Sequence, residues 1–139
     1  MKARVRNEIE PMALIYGVEL TSPMGEKLLE VLAAQGVKAR PVGKGEAAQQ
    51  LGYLCAYPGF EKREGEAPAA METGCLVFSG IRPQGLDGLL AALRQAQVQV
   101  PLKAMVTATN QRWPFSELLV ELEKERAAIA ASRKNAQGK

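Results

Sequence analysis

A chain of 139 residues, 47% hydrophobic and 24% charged, has the size and composition of one globular domain that buries a core without staples, which excludes a wholly disordered chain. The net charge of +3 sits at the ends, in Lys2, Arg4 and Arg6 and in Arg133, Lys134 and Lys139, so the folded part lacks the basic stripe of a nucleic-acid face. There is no histidine, which excludes Ser-His and Cys-His pairs, histidine general bases and nearly all catalytic zinc sites, and leaves Lys, carboxylates, Thr/Ser, Tyr and backbone groups for any chemistry.

The first apolar run, Met12 to Val18, reads as a strand covered on both faces. Thr21 or Ser22 is suited to cap a helix with Pro23 in its first position, and Leu28, Leu29, Val31 and Leu32 give that helix an apolar face that ends at Gly36. Val37 to Val42 reads as a second strand. Lys44 to Leu54 reads as a second helix, with Ala47, Leu51 and Leu54 inward. Residues 57–74 are dominated by Pro, Gly and Glu and read as a long surface connection.

The pattern then returns. Cys75 to Gly80 is a strand, Pro83 to Gln97 a helix with Leu86, Leu89, Leu90 and Leu93 inward, Val98 to Thr107 a fourth strand, and Phe115, Leu118, Leu119 and Leu122 the stripe of a last helix. LIYGVELTSPMGEKLLEVLAAQGVKA and LVFSGIRPQGLDGLLAALRQAQVQV share this layout, which predicts two βαβα halves. The expected fold is α/β: a small, mainly parallel four-stranded sheet with helices on its faces, Rossmann-like or flavodoxin-like, in two or three layers. By analogy the strand order is 2-1-3-4. The domain spans residues 12–131, between a basic tail at 1–11 and another at 132–139.

Cys55 and Cys75 lie in or beside apolar segments, as buried reduced thiols do, and the longest apolar runs fall far short of the ~20 residues of a membrane span. No apolar segment follows the basic N-terminus as in a signal peptide, and the expected location is the cytoplasm.

In a parallel sheet, ligands bind beyond the carboxyl ends of the strands. The richest such turn is Thr107-Ala-Thr-Asn-Gln-Arg-Trp113. Thr107, Thr109 and Asn110 could present hydroxyl, amide and backbone N–H groups to an anion, and Arg112 could add charge-assisted bonds. The structural alternative is that Thr and Asn make local turn bonds, Trp113 packs at a helix entrance, and Pro114, Ser116 and Glu117 start the helix. Lys103 is either a cleft cation or amine, or an edge-strand lysine that discourages sheet-to-sheet pairing. Arg82 is a further anion candidate. Gly43-Lys44-Gly45-Glu46 lacks the phosphate-loop spacing, and Gly80 to Gly85 lacks the dinucleotide fingerprint. No cofactor and no metal site are expected.

CLVFSGIRPQGLDGLLAALRQAQVQVPLKAMVTATNQRWPFSELLVELEKE resembles a bacterial family, the domain of unknown function 3783, most specifically in Pro101-Leu102-Lys103-Ala104, Thr107, Asn110, Trp113 and Glu117-Leu118-Leu119. LIYGV and LGYLC extend the likeness across residues 12–125. In that family a Thr usually follows the Trp. Here Pro114 stands there, which favours packing over hydroxyl chemistry for the turn. The resemblance implies the fold and the importance of this turn, and carries no activity.

Three readings result. The first is a non-catalytic cytoplasmic module binding a small anionic ligand or a protein partner, with Lys103, Thr107, Thr109, Asn110, Arg112, Trp113 and Arg82 as its residues. The second is a metal-independent enzyme using Lys103 or the Thr109/Asn110 loop, which needs Lys103 buried with a depressed pKa. The third is a subunit that forms a homodimer through its Leu-rich helix faces.

Overall fold

The computed structural model describes residues 10–63 and 73–137. Most of the N-terminal tail (1–9), the centre of the Glu-rich connection (64–72) and the last two residues lie outside the described residues.

Four strands, β1 (Met12–Tyr16), β2 (Lys38–Pro41), β3 (Cys75–Ser79) and β4 (Leu102–Met105), form one open sheet in the order β2-β1-β3-β4. This is the order expected by analogy. The strand directions differ from expectation: β1/β2 and β3/β4 are parallel, but the central pair β1/β3 is antiparallel, with Leu14 opposite Val77. The sheet is therefore mixed, not mainly parallel. Both central strands are buried on both faces, which gives the same unbroken apolar run whichever way the neighbour points. Direction depends on which backbone groups of β1 and β3 meet, and no residue pattern encodes that.

Alternate residues of the central strands face opposite layers. Ala13, Ile15, Leu76 and Phe78 pack under α1 (Pro23–Ala34) and α3 (Pro83–Gln95) through Leu28, Leu32, Leu89 and Leu93. Met12, Leu14, Tyr16, Cys75 and Val77 pack under α2 (Leu51–Leu54) and α4 (Phe115–Gln137) through Leu51, Leu54, Phe115, Leu118 and Leu119. The result is a three-layer α/β/α sandwich in two βαβα halves.

Local sequence accounts for α1. Ser22 accepts a hydrogen bond from the Gly25 N–H at 3.0 Å, Pro23 takes the first position, and Gly36 at φ +73° follows the end. Two expectations are corrected. Lys44 to Leu54 is not one helix but a 3₁₀ turn (Lys44–Glu46) followed by the single turn of α2. Tertiary bonds claim the backbone between them: the Ser116 and Phe115 N–H groups donate to the Ala47 and Gln49 carbonyls, at 2.9 Å each. The fourth strand is four residues long, not ten, because pairing lasts only where β3 runs alongside. The last helix runs from Phe115 to Gln137.

Candidate functional site

With β1 and β3 antiparallel, the carboxyl ends of β1 and β2 lie at one edge of the sheet and those of β3 and β4 at the other. The turns after Gly17 and Val42 are thus separated from those after Phe78 and Thr107, and the single cleft expected at four strand ends does not form. The candidates divide further. Arg82 lines a pocket of about 530 Å³ with Pro11, Val37, Gly80 and Leu89, beside α1 and α3. The 107–113 loop docks on the other face, against Ala47–Leu51.

The loop's polar groups are turned inward, on the chain itself. The Leu102 and Val106 N–H groups donate to the carbonyls of Gly74, just before β3, and of Phe78 within it, so the backbone of Lys103, Met105 and Thr107 faces away from β3, at the open edge. Asn110 closes part of that edge. Its Oδ1 accepts from the Thr107 N–H at 2.7 Å, and its Nδ2 donates to the Met105 carbonyl at 3.0 Å, as a neighbouring strand residue would. Thr107 Oγ1 in turn accepts from the Asn110 N–H at 3.0 Å. A 3₁₀ turn (Asn110–Arg112) follows, and the Trp113 N–H donates to the Asn110 carbonyl. The Arg112 and Trp113 carbonyls accept from Gln50 Nε2 and the Leu51 N–H. Trp113 is half-buried against the α2/α4 core.

Thr107, Asn110 and Trp113 therefore build the turn, although Thr107, like Thr109 and Arg112, is exposed. The helix start also differs from expectation: backbone carbonyls of Ala47 and Gln49 satisfy the first N–H groups of α4, in place of Ser116 and Glu117 side chains. Asn110→Ala removes both side-chain bonds and leaves the edge groups of Met105 and Thr107 without protein partners. It is expected to lower the unfolding free energy by about 1–3 kcal/mol in urea titration. Asn110→Asp, which keeps the acceptor but not the donor, is expected to fall between.

Lys103 is exposed on the edge strand and donates from Nζ to the Val100 carbonyl at 2.8 Å. The structure thus gives it the edge position that discourages sheet pairing. It also lines a groove of about 360 Å³ with Pro101, Leu122, Glu125, Arg126 and Ile129, between β4 and α4.

Other polar constellations escaped the sequence reading. The Gln49 carboxamide is buried and clasps both backbone groups of Arg63, at 2.8 Å each, holding the start of the Glu-rich connection. Arg40 and Gly43 N–H both reach Glu46 Oε1 at 3.0 Å, and these bonds hold the Glu46 carboxyl below the usual range. Buried Ser79 shares a hydrogen bond with the Tyr57 hydroxyl beside Cys55. Gln49 and Ser79 give no local signal, because their partners are 14 and 22 residues away.

Both thiols are free and buried. Burial pushes Cys55 up to about 11, a rise that its bond to Ser79 and the Arg40 charge only partly offset. Burial likewise pushes Cys75 up to about 12, with a smaller opposing effect from Lys103. Neither is a thiolate nucleophile near neutral pH. Because the folded pKa values lie above the unfolded ones, their contribution to stability is complete below pH 9 and declines from there towards pH 11–12. The urea midpoint is expected to be lower at pH 10 than at pH 8, and a thiol reagent at pH 8 is expected to label the unfolded protein but not the native one.

Residues 75–129 match the model of a family described as a domain of unknown function, DUF3783. This segment carries the likeness to DUF3783. It begins at the first residue of β3 and ends within α4, so the match covers one βαβα half, and the likeness across residues 12–74 lies outside it. No curated protein and no solved structure matches the chain. Every sequence-derived candidate, Lys103, Thr107, Thr109, Asn110, Arg112, Trp113 and Arg82, falls within the DUF3783 segment. Among the described residues, no group of three or more Cys, Asp or Glu could hold a metal ion, and no helix is long and apolar enough to cross a membrane.

Proposed function

We propose that this protein is a non-catalytic, cytoplasmic protein-interaction module, and that its contact surface is the groove between the edge strand β4 and the projecting end of α4. The observation that carries the reading is Ile129. It is 54% exposed, the more exposed of the two large hydrophobic side chains at the surface among the described residues, and it lines this groove with half-buried Leu122 and with Lys103. From Lys124 to Ser132 every residue of α4 is exposed, so the helix extends past the sheet that its first turns cover. Glu121–Lys124 and Glu123–Arg126 pairs at 3.5 Å support it locally, leaving the apolar positions for a partner. An extended or helical segment of a partner protein fits a groove with one apolar wall and a charged rim of Lys103, Glu125 and Arg126.

A small-anion site at the strand ends has less support, because the hydrogen-bonding groups of Thr107 and Asn110 are engaged within the loop and Arg82 lies apart from it. An enzyme reading based on a buried Lys103 lacks its premise, since that side chain is exposed. The test is affinity capture with wild type, Ile129→Glu and Asn110→Ala proteins. A partner retained by wild type and Asn110→Ala, and weakened at least tenfold by Ile129→Glu, supports the groove. Capture indifferent to Ile129→Glu counts against it. A saturable rise in melting temperature with a phosphate or carboxylate metabolite, lost in Arg82→Ala, would instead restore the small-ligand reading.

A further inference from the structure

We infer that the two halves of this chain are two copies of one unit, and that the face where they meet is a self-complementary pairing surface whose partner is a second βαβα unit of the DUF3783 kind. The inference rests on a set of equivalences that the family match, confined to residues 75–129, does not contain. A shift of 63 positions carries Leu14 onto Val77, the two residues opposite each other at the centre of the β1/β3 ladder. The same shift carries Gly17 at φ +71° onto Gly80 at φ +72°, each ending a central strand. Pro23 and Pro83 both open their helices, and each half has a 3₁₀ turn after its edge strand, Lys44–Glu46 and Asn110–Arg112.

The contacts between the halves are themselves reciprocal. In the ladder, Met12 lies opposite Ser79 and Tyr16 opposite Cys75, so the pairing reads the same from either end. On the α2/α4 face, the Leu51 N–H donates to the Trp113 carbonyl at 3.0 Å, while the Phe115 N–H donates to the Gln49 carbonyl at 2.9 Å. A shift of 64 positions converts one bond into the other. An antiparallel bridge, Gln50 to Pro114, lies between them. Each half thus offers the first turn of its second helix to the other, as two subunits do across a twofold axis. β3, without β1, would expose an unpaired edge on a strand that is buried along its whole length here, so the unit matched by the family model is complete only with a second one beside it.

The halves differ most in the length of their second helix. The second helix of the first half, α2, has four residues where α4 has 23, and α4 supplies Phe115, Leu118 and Leu119 to the core under that face. A pair of second halves would therefore have cover on both sides of the axis, whereas a pair of first halves would not.

The test inserts a specific protease site between Gly65 and Glu66 of the full-length protein and cuts it in the folded state. The cut protein is expected to keep the mass of the intact chain in native mass spectrometry. Its melting midpoint is expected to fall with each tenfold dilution, while that of the uncut protein stays fixed. Diluted until its halves exchange and then reconcentrated, it is expected to yield first-with-second pairs and second-with-second pairs, and no first-with-first pairs. Separation of the halves on cutting would overturn the inference. So would the recovery of first-with-second pairs alone.

Discussion

Replacing Phe115 by alanine is expected to cost about 3–5 kcal/mol of unfolding free energy, a large share of the roughly 5–15 kcal/mol that holds a domain of this size. The side chain is fully buried, and its ring lies 5.3 Å from that of Tyr16, itself buried in β1. Its position joins three parts of the molecule. The ring fills the layer between the sheet and α4, and the backbone N–H closes the first turn of α4 onto Gln49. Truncation leaves a cavity between two layers that are held apart by their other side chains, so little collapse can compensate. Phe115→Leu, which keeps most of the volume, is expected to cost no more than about 1.5 kcal/mol. Urea titrations of the three proteins check this: the midpoint should fall in the order wild type, Leu, Ala, with the slope unchanged. Similar losses for Leu and Ala would mean that the aromatic contact with Tyr16, rather than the volume, dominates.

The second large effect is expected at Gly25. A methyl group built there would lie 2.2 Å from the Glu19 carbonyl oxygen and 2.6 Å from the Leu20 Cα. Both are backbone atoms of the turn that enters α1, and that turn is tied to Ser22, whose hydroxyl and N–H both donate to the Glu19 carbonyl. No side-chain rotation relieves such a clash. Gly25→Ala must displace either the turn or the helix start, and is expected to cost about 3 kcal/mol. Gly88 is the control. It lies in α3 with nothing within 4 Å of the added methyl group, and Gly88→Ala is expected to raise stability by about 0.5–1 kcal/mol through helix propensity alone. Thermal melts of the two variants should move in opposite directions. A neutral Gly25→Ala would mean that the α1 entry turn yields more easily than its bonds suggest.

Much of the fold is legible in local residue patterns. Ser22, Pro23 and Gly36 mark the ends of α1 through rules that involve only neighbouring residues, and the structure places the helix between them. The Leu stripes of α1, α3 and α4 point inward because a helical period leaves no other face apolar. Lys44 to Leu54 has a helical period too, yet it breaks. The carbonyls of Ala47 and Gln49 serve the N-terminus of a helix more than 60 residues away, and periodicity carries no trace of that partner.

The candidate loop divides in the same way. Composition alone picks out residues 107–113 as unusual, and the bonds around Asn110 show why: the asparagine substitutes for a strand at the sheet's edge. A residue chosen for ligand chemistry and a residue chosen to close an edge are the same residue type, because both tasks use one donor and one acceptor on a short arm. The exposed Ile129 has no counterpart in the sequence pattern, since one isoleucine in an alanine-rich helix end gives no periodic signal, and only the overhang of α4 past the sheet leaves it uncovered.

Most of the elements, their inward faces, the two-half layout and the lack of histidine chemistry are therefore readable from residue type and from the pattern along the chain. The tertiary structure decided the antiparallel centre, the scattering of the strand ends and the engagement of the Asn110 loop. Each of these depends on which distant backbone groups meet, and hydrogen bonds across 60 residues leave no period in a chain.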